Sequence, residues 1–139
     1  MKQRIFIDTN IIVDIFCHRE PFYTSAAILL SLIEKGKIVA FASSLTYANL
    51  HYVLRKTIGS RQATEALKNL RKIVAILPVG DTVIAHALES SFRDFEDSIQ
   101  YHTALENNIS YLVTRNQRDF RLSAITVGTA EEFLAQLSA

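Results

Sequence analysis

Short apolar runs alternate with longer stretches of helical periodicity along this chain. Gln3 to Ile7 ends in the unbroken run Ile5-Phe6-Ile7, which predicts a strand buried on both faces. The run stops at Asp8-Thr9-Asn10, residues suited to a loop or a helix N-terminus, and a short helix is expected over Ile11 to Phe16. Beyond Pro21, the spacing of Ala26, Leu29, Leu30 and Ile33 predicts a helix over Phe22 to Lys35, ending before Gly36. Ile38 to Ala42 is a second strand-length run. Ser43 or Ser44 can cap the next helix, carried by Leu45, Leu50, Val53 and Leu54 and stopped by Gly59. Ser60 opens another, with Ala63, Leu67 and Leu70 on one face.

Ile73 to Leu77 reads as a third strand, closed by Pro78, and Asp81 is the expected cap of a helix through Ile84 and Leu88. Asp94 begins a helix running to about Asn107. Tyr111 to Val113 and Ala124 to Val127 are the last two strands. Thr129-Ala130-Glu131-Glu132 has the form of a capping box, with Thr at the cap and Glu three residues on. Strands separated by helices throughout imply an α/β fold around a mostly parallel sheet. Without repeat, low-complexity segment or linker, residues 1–139 are expected to form a single domain.

Composition narrows the picture by exclusion. The formal net charge is +1, so nucleic acid cannot be held by bulk charge and needs local patches or a metal site. Cys17 is the one cysteine, which excludes an internal disulfide and points to a reducing, cytoplasmic setting. No apolar stretch is long enough for a membrane span, and Asp8 interrupts the first apolar run before it can serve as a signal peptide.

The candidate chemistry lies where strands end. Ligands of open parallel sheets bind outside the carboxyl ends of the strands. Asp8 follows the first strand directly, and Asn116 and Asp119 follow the fourth. Asp94, Glu96 and Asp97 crowd the start of the helix leading into it. A helix macrodipole favours an acid at its N-terminus by about 0.3–1 kcal/mol, which accounts for one carboxylate better than for three, since like charges repel. A divalent cation resolves that conflict, because Mg²⁺ takes oxygen ligands from carboxylates and bridges to phosphates. His18, His51, His86 and His102 show no zinc spacing. Gly-rich phosphate loops, GxSxG and paired cysteines are absent.

With these residues assembled, the chain resembles the PIN domain family, in particular the VapC-like toxin ribonucleases of bacterial toxin–antitoxin pairs. Ile5-Phe6-Ile7-Asp8-Thr9-Asn10, Asp94-Phe95-Glu96-Asp97-Ser98-Ile99-Gln100 and Leu112-Val113-Thr114-Arg115-Asn116 with Asp119-Phe120 carry the resemblance, in family order and over almost the whole chain. It implies a three-layer α/β/α domain with a mostly parallel sheet of four or five strands, and acids converging on Mg²⁺ or Mn²⁺. Asp8 would be the first metal-binding acid and Asp97 the third, the pair on which catalysis rests. Asp94, Asn116, Asp119 and Asn49 would complete the ligand set. Thr114 and Asn10 would orient those ligands through hydrogen bonds. The chain departs from the family pattern at Asn49, where a Glu is usual. An amide can ligate a hard cation but adds no charge and cannot act as a general base.

The activity so implied is metal-dependent endoribonuclease cleavage, with RNA as substrate, a cognate antitoxin as partner and a homodimer as assembly. Asn49 and Asn116 keep open the alternative of a degenerate PIN domain that binds RNA or protein without cutting. A haloacid-dehalogenase-type phosphatase would want a second Asp at position 10, where the chain has Asn10. Arg115, Arg118 and Arg121 could neutralise RNA phosphates. Arg55, Lys56 and Arg61 read more simply as ordinary charges at helix ends. Asp14 could join the acidic rim or face water. Tyr47, Tyr52 and Tyr101 could stack bases, although such residues on apolar helix faces more often belong to a core or an interface. Phe16, Phe22, Tyr23, Leu32 and Tyr52 supply more apolar surface than a small sheet needs.

Overall fold

A computed structural model describes residues 2–120 and 124–138. The elements run β1 (Gln3–Ile7), α1 (Thr9–Phe16), α2 (Tyr23–Glu34), β2 (Ile38–Ser43), α3 (Ser44–Ile58), α4 (Ser60–Arg71), β3 (Val74–Leu77), α5 (Asp81–Glu89), α6 (Phe95–Glu106), β4 (Tyr111–Val113), a 3₁₀ turn (Gln117–Phe120), β5 (Thr126–Gly128) and α7 (Ala130–Ser138). The five strands form one sheet in the order β3-β2-β1-β4-β5, and every pairing is parallel.

The pleat sorts the core into two layers. Along β1, Ile5 and Ile7 pack with Ile11, Ala26, Leu29, Leu50, Leu70 and Phe133, contributed by α1, α2, α3, α4 and α7. Phe6 points to the opposite face, with Tyr101, Ala104, Ile109, Leu112 and Phe120. Val83 and Ala87 of α5 join Ile99 of α6 on a smaller cluster. Successive strand residues face opposite sides, so a run of three apolar residues serves both layers, and Ile5, Phe6 and Ile7 are all buried. The result is a three-layer α/β/α fold.

Most helix ends follow local chemistry. Ser43 caps α3 by accepting the Thr46 N–H at 3.0 Å. Thr129 Oγ1 accepts the Glu132 N–H at 3.1 Å while the Glu132 carboxylate accepts the Thr129 N–H at 2.9 Å, the reciprocal bonds of a capping box. Some boundaries differ from expectation. Helix α1 begins at Thr9, because Asp8 itself is its cap. Gly80, not Asp81, is the cap residue of α5 and makes no side-chain bond; Asp81 lies in the first turn, where the dipole still favours it. Strand β5 is Thr126–Gly128, set by pairing Thr126 with Tyr111 and Gly128 with Val113.

Candidate metal centre

The strand order creates the site. From β1 the chain builds outward through β2 to β3, then crosses back to place β4 on the other side of β1. The carboxyl ends of β1 and β4 therefore diverge into oppositely directed connections, the switch point at which doubly wound sheets bind ligands. Asp8 stands at the end of β1, where its N–H still donates to Val113 O at 2.9 Å. Beside it opens a cleft of about 420 Å³ lined by Asp8, Asn10, Asn49, Asp94, Glu96, Asp97 and Asn116, with Arg19, Tyr52 and Gln100 on its walls.

Asp8 is fixed from both oxygens. One accepts the Thr9 N–H at 2.8 Å as the cap of α1; the other accepts the Thr114 hydroxyl at 2.7 Å, with the Asn10 amide at 3.5 Å. Thr114 Oγ1 in turn accepts the Asn116 N–H at 3.0 Å, and Asn10 Oδ1 accepts the Arg115 N–H at 3.3 Å. Asp8, only 5% exposed, thus has its direction dictated by the loop after β4. Burial pushes its carboxyl above the ordinary value of 3.8; the Thr114 and Thr9 bonds oppose this, and the charges of Asp94 and Glu96 add to it.

The second wall is the N-terminus of α6. Asp94 caps it by accepting the Asp97 N–H at 3.0 Å. Asp97, 8% exposed, lies inward, while Asp94 and Glu96 are exposed. Beneath them a buried polar network ties three helices together. Gln100 accepts the Ser43 hydroxyl and donates to Thr46 Oγ1, both at 2.7 Å, and Thr46 Oγ1 also lies 3.1 Å from Thr9 Oγ1. Its satisfied donors and acceptors hold the N-terminal turns of α1, α3 and α6 in one register.

The donor set is hard oxygen throughout, which suits Mg²⁺ or Mn²⁺ rather than zinc. Like-charged carboxylates facing one cleft also want a cation. Among the described residues, no three His, Cys, Asp or Glu side chains already close on one point as a preformed cage. Mg²⁺ sites do not require one, because water and substrate phosphate supply much of the coordination shell.

Thr114 is fully buried, and its hydroxyl fixes the direction of the Asp8 carboxylate. Thr114→Val keeps the shape and removes the hydroxyl. It is expected to weaken Mn²⁺ binding about tenfold, as loss of an orienting hydrogen bond does, measured by calorimetric titration. Acid is expected to weaken it too. A proton on Asp8 competes with the metal, so apparent affinity falls as pH drops through the raised Asp8 value, by up to about tenfold per pH unit. Titrations at a series of pH values should place that loss above 3.8, the range of an ordinary aspartate.

The structure thus brings Asp8, Asn10, Asn49, Asp94, Asp97 and Asn116 to one place, with Thr114 behind them. The side chain of Asp119 and all of Arg121 lie outside the described residues. Arg115 turns away from the cleft: its Nε donates to Asp14 Oδ2 at 2.8 Å and its guanidinium lies 4.4 Å from the Phe22 ring centroid. Asp14 neither joins the rim nor faces water, being fully buried. Arg118 is exposed on the 3₁₀ turn and does not line the cleft. Arg19, from the turn after α1, does line it, and no local pattern marks it out. Tyr52 is 53% exposed on the cleft wall, its ring flanked by Lys56 Nζ at 4.1 Å and Arg55 at 5.3 Å. Tyr47 and Tyr101 are packing residues. Tyr47 donates to Val74 O at 2.8 Å, and burial pushes its hydroxyl up to about 12; Tyr101 is buried against Phe6.

A five-stranded parallel sheet with acids gathered at its switch point defines a class, and comparison with known proteins agrees with it. The model of the PIN domain matches residues 4–118, and the chain belongs to that family. Ribonuclease VapC1 of Aquifex aeolicus (strain VF5) is 30% identical over 137 residues, 95% of this chain and 94% of that protein. Among solved structures, VapBC2 from Rickettsia felis, bound to a DNA fragment from their promoter, shares the fold. It has a TM-score of 0.65 at 20% identity, over 91% of this chain and 97% of that one. VapC20 of Mycobacterium tuberculosis, a sarcin-ricin loop cleaving toxin, does so with a TM-score of 0.63 at 19% identity, over 78% and 86%.

Proposed function

We propose that this chain is an endoribonuclease that hydrolyses RNA phosphodiester bonds with Mg²⁺ or Mn²⁺, and that it is the toxin of a toxin–antitoxin pair. The observation that carries the reading is the convergence of Asp8, from the end of β1, with Asp97, from the first turn of α6, on one cleft at the switch point of the sheet. Similarity to a ribonuclease, 30% identical over 95% of this chain, supports it.

In this reading Asp8 and Asp97 hold the ion, with Asp94, Asn49 and Asn116 around them and Asp119 following Asn116 in the chain. When bound, such an ion activates water and offsets charge on the scissile phosphate. Thr114 and Asn10 keep the Asp8 carboxylate aimed. The N-termini of α1 and α6 both meet the cleft, and their partial positive charge favours an anion there. Arg19 and the Tyr52–Arg55–Lys56 group offer phosphate and base contacts at the rim, with Arg118 farther out. Arg115 serves the structure through Asp14.

Incubating the full chain with labelled RNA, in Mn²⁺ and in EDTA, tests this reading. Cleavage confined to the Mn²⁺ reaction is expected. Retained RNA binding with no cleavage in Mn²⁺ would instead favour a degenerate domain, the reading motivated by the amides Asn49 and Asn116. The antitoxin and the homodimer belong to the same proposal. One structural neighbour is a toxin–antitoxin complex from Klebsiella pneumoniae, and Ile28 and Leu88 leave large apolar side chains exposed. No helix among the described residues is long and apolar enough to cross a membrane.

A further inference from the structure

Position 49 carries an amide where a carboxylate would serve a cation better, and the fold sets a glutamate against that amide. Asn49 Nδ2, on α3, donates to Glu96 Oε1, on α6, at 3.1 Å. Both residues line the cleft that holds Asp8 and Asp97. Two of the nearby carboxylates already serve as helix caps. Asp8 caps α1 and accepts from Thr114, and Asp94 caps α6 through Oδ1. Glu96 lies beyond the cap, in the first turn of α6 and exposed to solvent.

We propose that Glu96 is a metal ligand of this centre, supplying from α6 the carboxylate that α3 lacks at Asn49, with Asn49 as the positioning residue that holds it over the cleft. The inference rests on the metal-dependent reading above. A glutamate has one more rotatable bond than an aspartate, and its exposed carboxylate gives up only a weak surface hydrogen bond to take a cation. Asp8 and Asp97 are the two nearly buried charges of the cleft; Glu96 adds another without a further buried ion to desolvate.

Calorimetric titration of the full chain with Mn²⁺, run on the parent, Glu96→Gln, Asn49→Ala and the double variant Asn49→Glu with Glu96→Gln, tests the exchange. Glu96→Gln should weaken Mn²⁺ binding about tenfold or more, and Asn49→Ala by about threefold, losing only the positioning contact. The double variant should return to within about threefold of the parent, because the charge is restored from the opposite wall. A second readout separates ligation from structure. In EDTA the melting temperature of Glu96→Gln should match the parent, while the rise produced by Mn²⁺ should shrink. If Glu96→Gln titrates like the parent, or the double variant is no better than Glu96→Gln, the inference is overturned and the metal-dependent reading stands. If the parent itself takes up no Mn²⁺ at millimolar levels, that reading falls and this inference with it.

Discussion

Asp97→Asn is expected to abolish Mn²⁺-dependent RNA cleavage, with a loss of about 10³-fold or more, while the chain still folds. The size follows from position. Asp97 is one of two nearly buried carboxylates in the cleft, and its replacement keeps the shape but removes a full negative charge where a cation must be held. A loss of 10³ corresponds to about 4 kcal/mol of transition-state stabilisation, the order expected when metal activation of water and phosphate fails. Asp8→Asn should do the same, and Asn remains a competent helix cap, so α1 should survive. Single-turnover cleavage of a labelled RNA, with circular dichroism of the same preparations, checks both claims. Variants that fold and cut at the parental rate would overturn the assignment of the centre.

The largest expected effect on stability lies outside the cleft. Arg115→Ala should destabilise the fold by about 3 kcal/mol, the lower part of the range for breaking a buried ion pair, because a quarter of the Arg115 side chain is exposed. It strands Asp14, which is fully buried and whose Oδ1 already has no hydrogen-bond partner. For a chain of this length that is a fall of about 10 °C in Tm. Burial raises the Asp14 carboxyl above 3.8, while the Arg115 charge, its hydrogen bond and Arg19 hold the rise down. A carboxyl raised in the folded state contributes stability that is fully present below its unfolded value and lost as pH rises through its folded value. Without Arg115 the folded value climbs further. The deficit of the variant should therefore be largest near neutral pH and narrow on acidification, as Asp14 protonates and needs no counter-ion. Urea titrations of parent and variant across that range measure it. Replacing both residues, Asp14→Leu with Arg115→Met, should recover most of the loss, since an apolar pair desolvates no charge.

These two residues also mark what sequence reading can and cannot reach. Asp8 was legible because its evidence is local: an apolar strand run ends and a capping residue follows, and it caps α1. Asp94 and the Thr129–Glu132 box were legible for the same reason, each a side chain bonded to a backbone three residues away. Asp14 and Arg115 look like solvated residues in one dimension. Their pairing spans 101 residues, and it depends on α1 lying beneath the loop after β4. The Ser43–Thr46–Gln100 network is of the same kind, polar residues whose burial no periodicity announces. Asp81 resembles a cap in sequence because an acid in the first turn and an acid at the cap leave nearly the same local signature.

Element order, most helix boundaries and the placement of acids at strand ends were determined by the sequence alone, since each depends on side-chain period and on contacts within about four residues. Only the tertiary structure decided the order β3-β2-β1-β4-β5, and with it the switch point that brings the ends of β1 and β4 beside the start of α6. It also decided which charges are buried: Asp8 and Asp97 inward at the cleft, Asp14 beneath Arg115, and Glu96 exposed against Asn49. Those outcomes rest on packing between segments far apart in the chain, whose free energy is shared among many contacts and is written in no single motif.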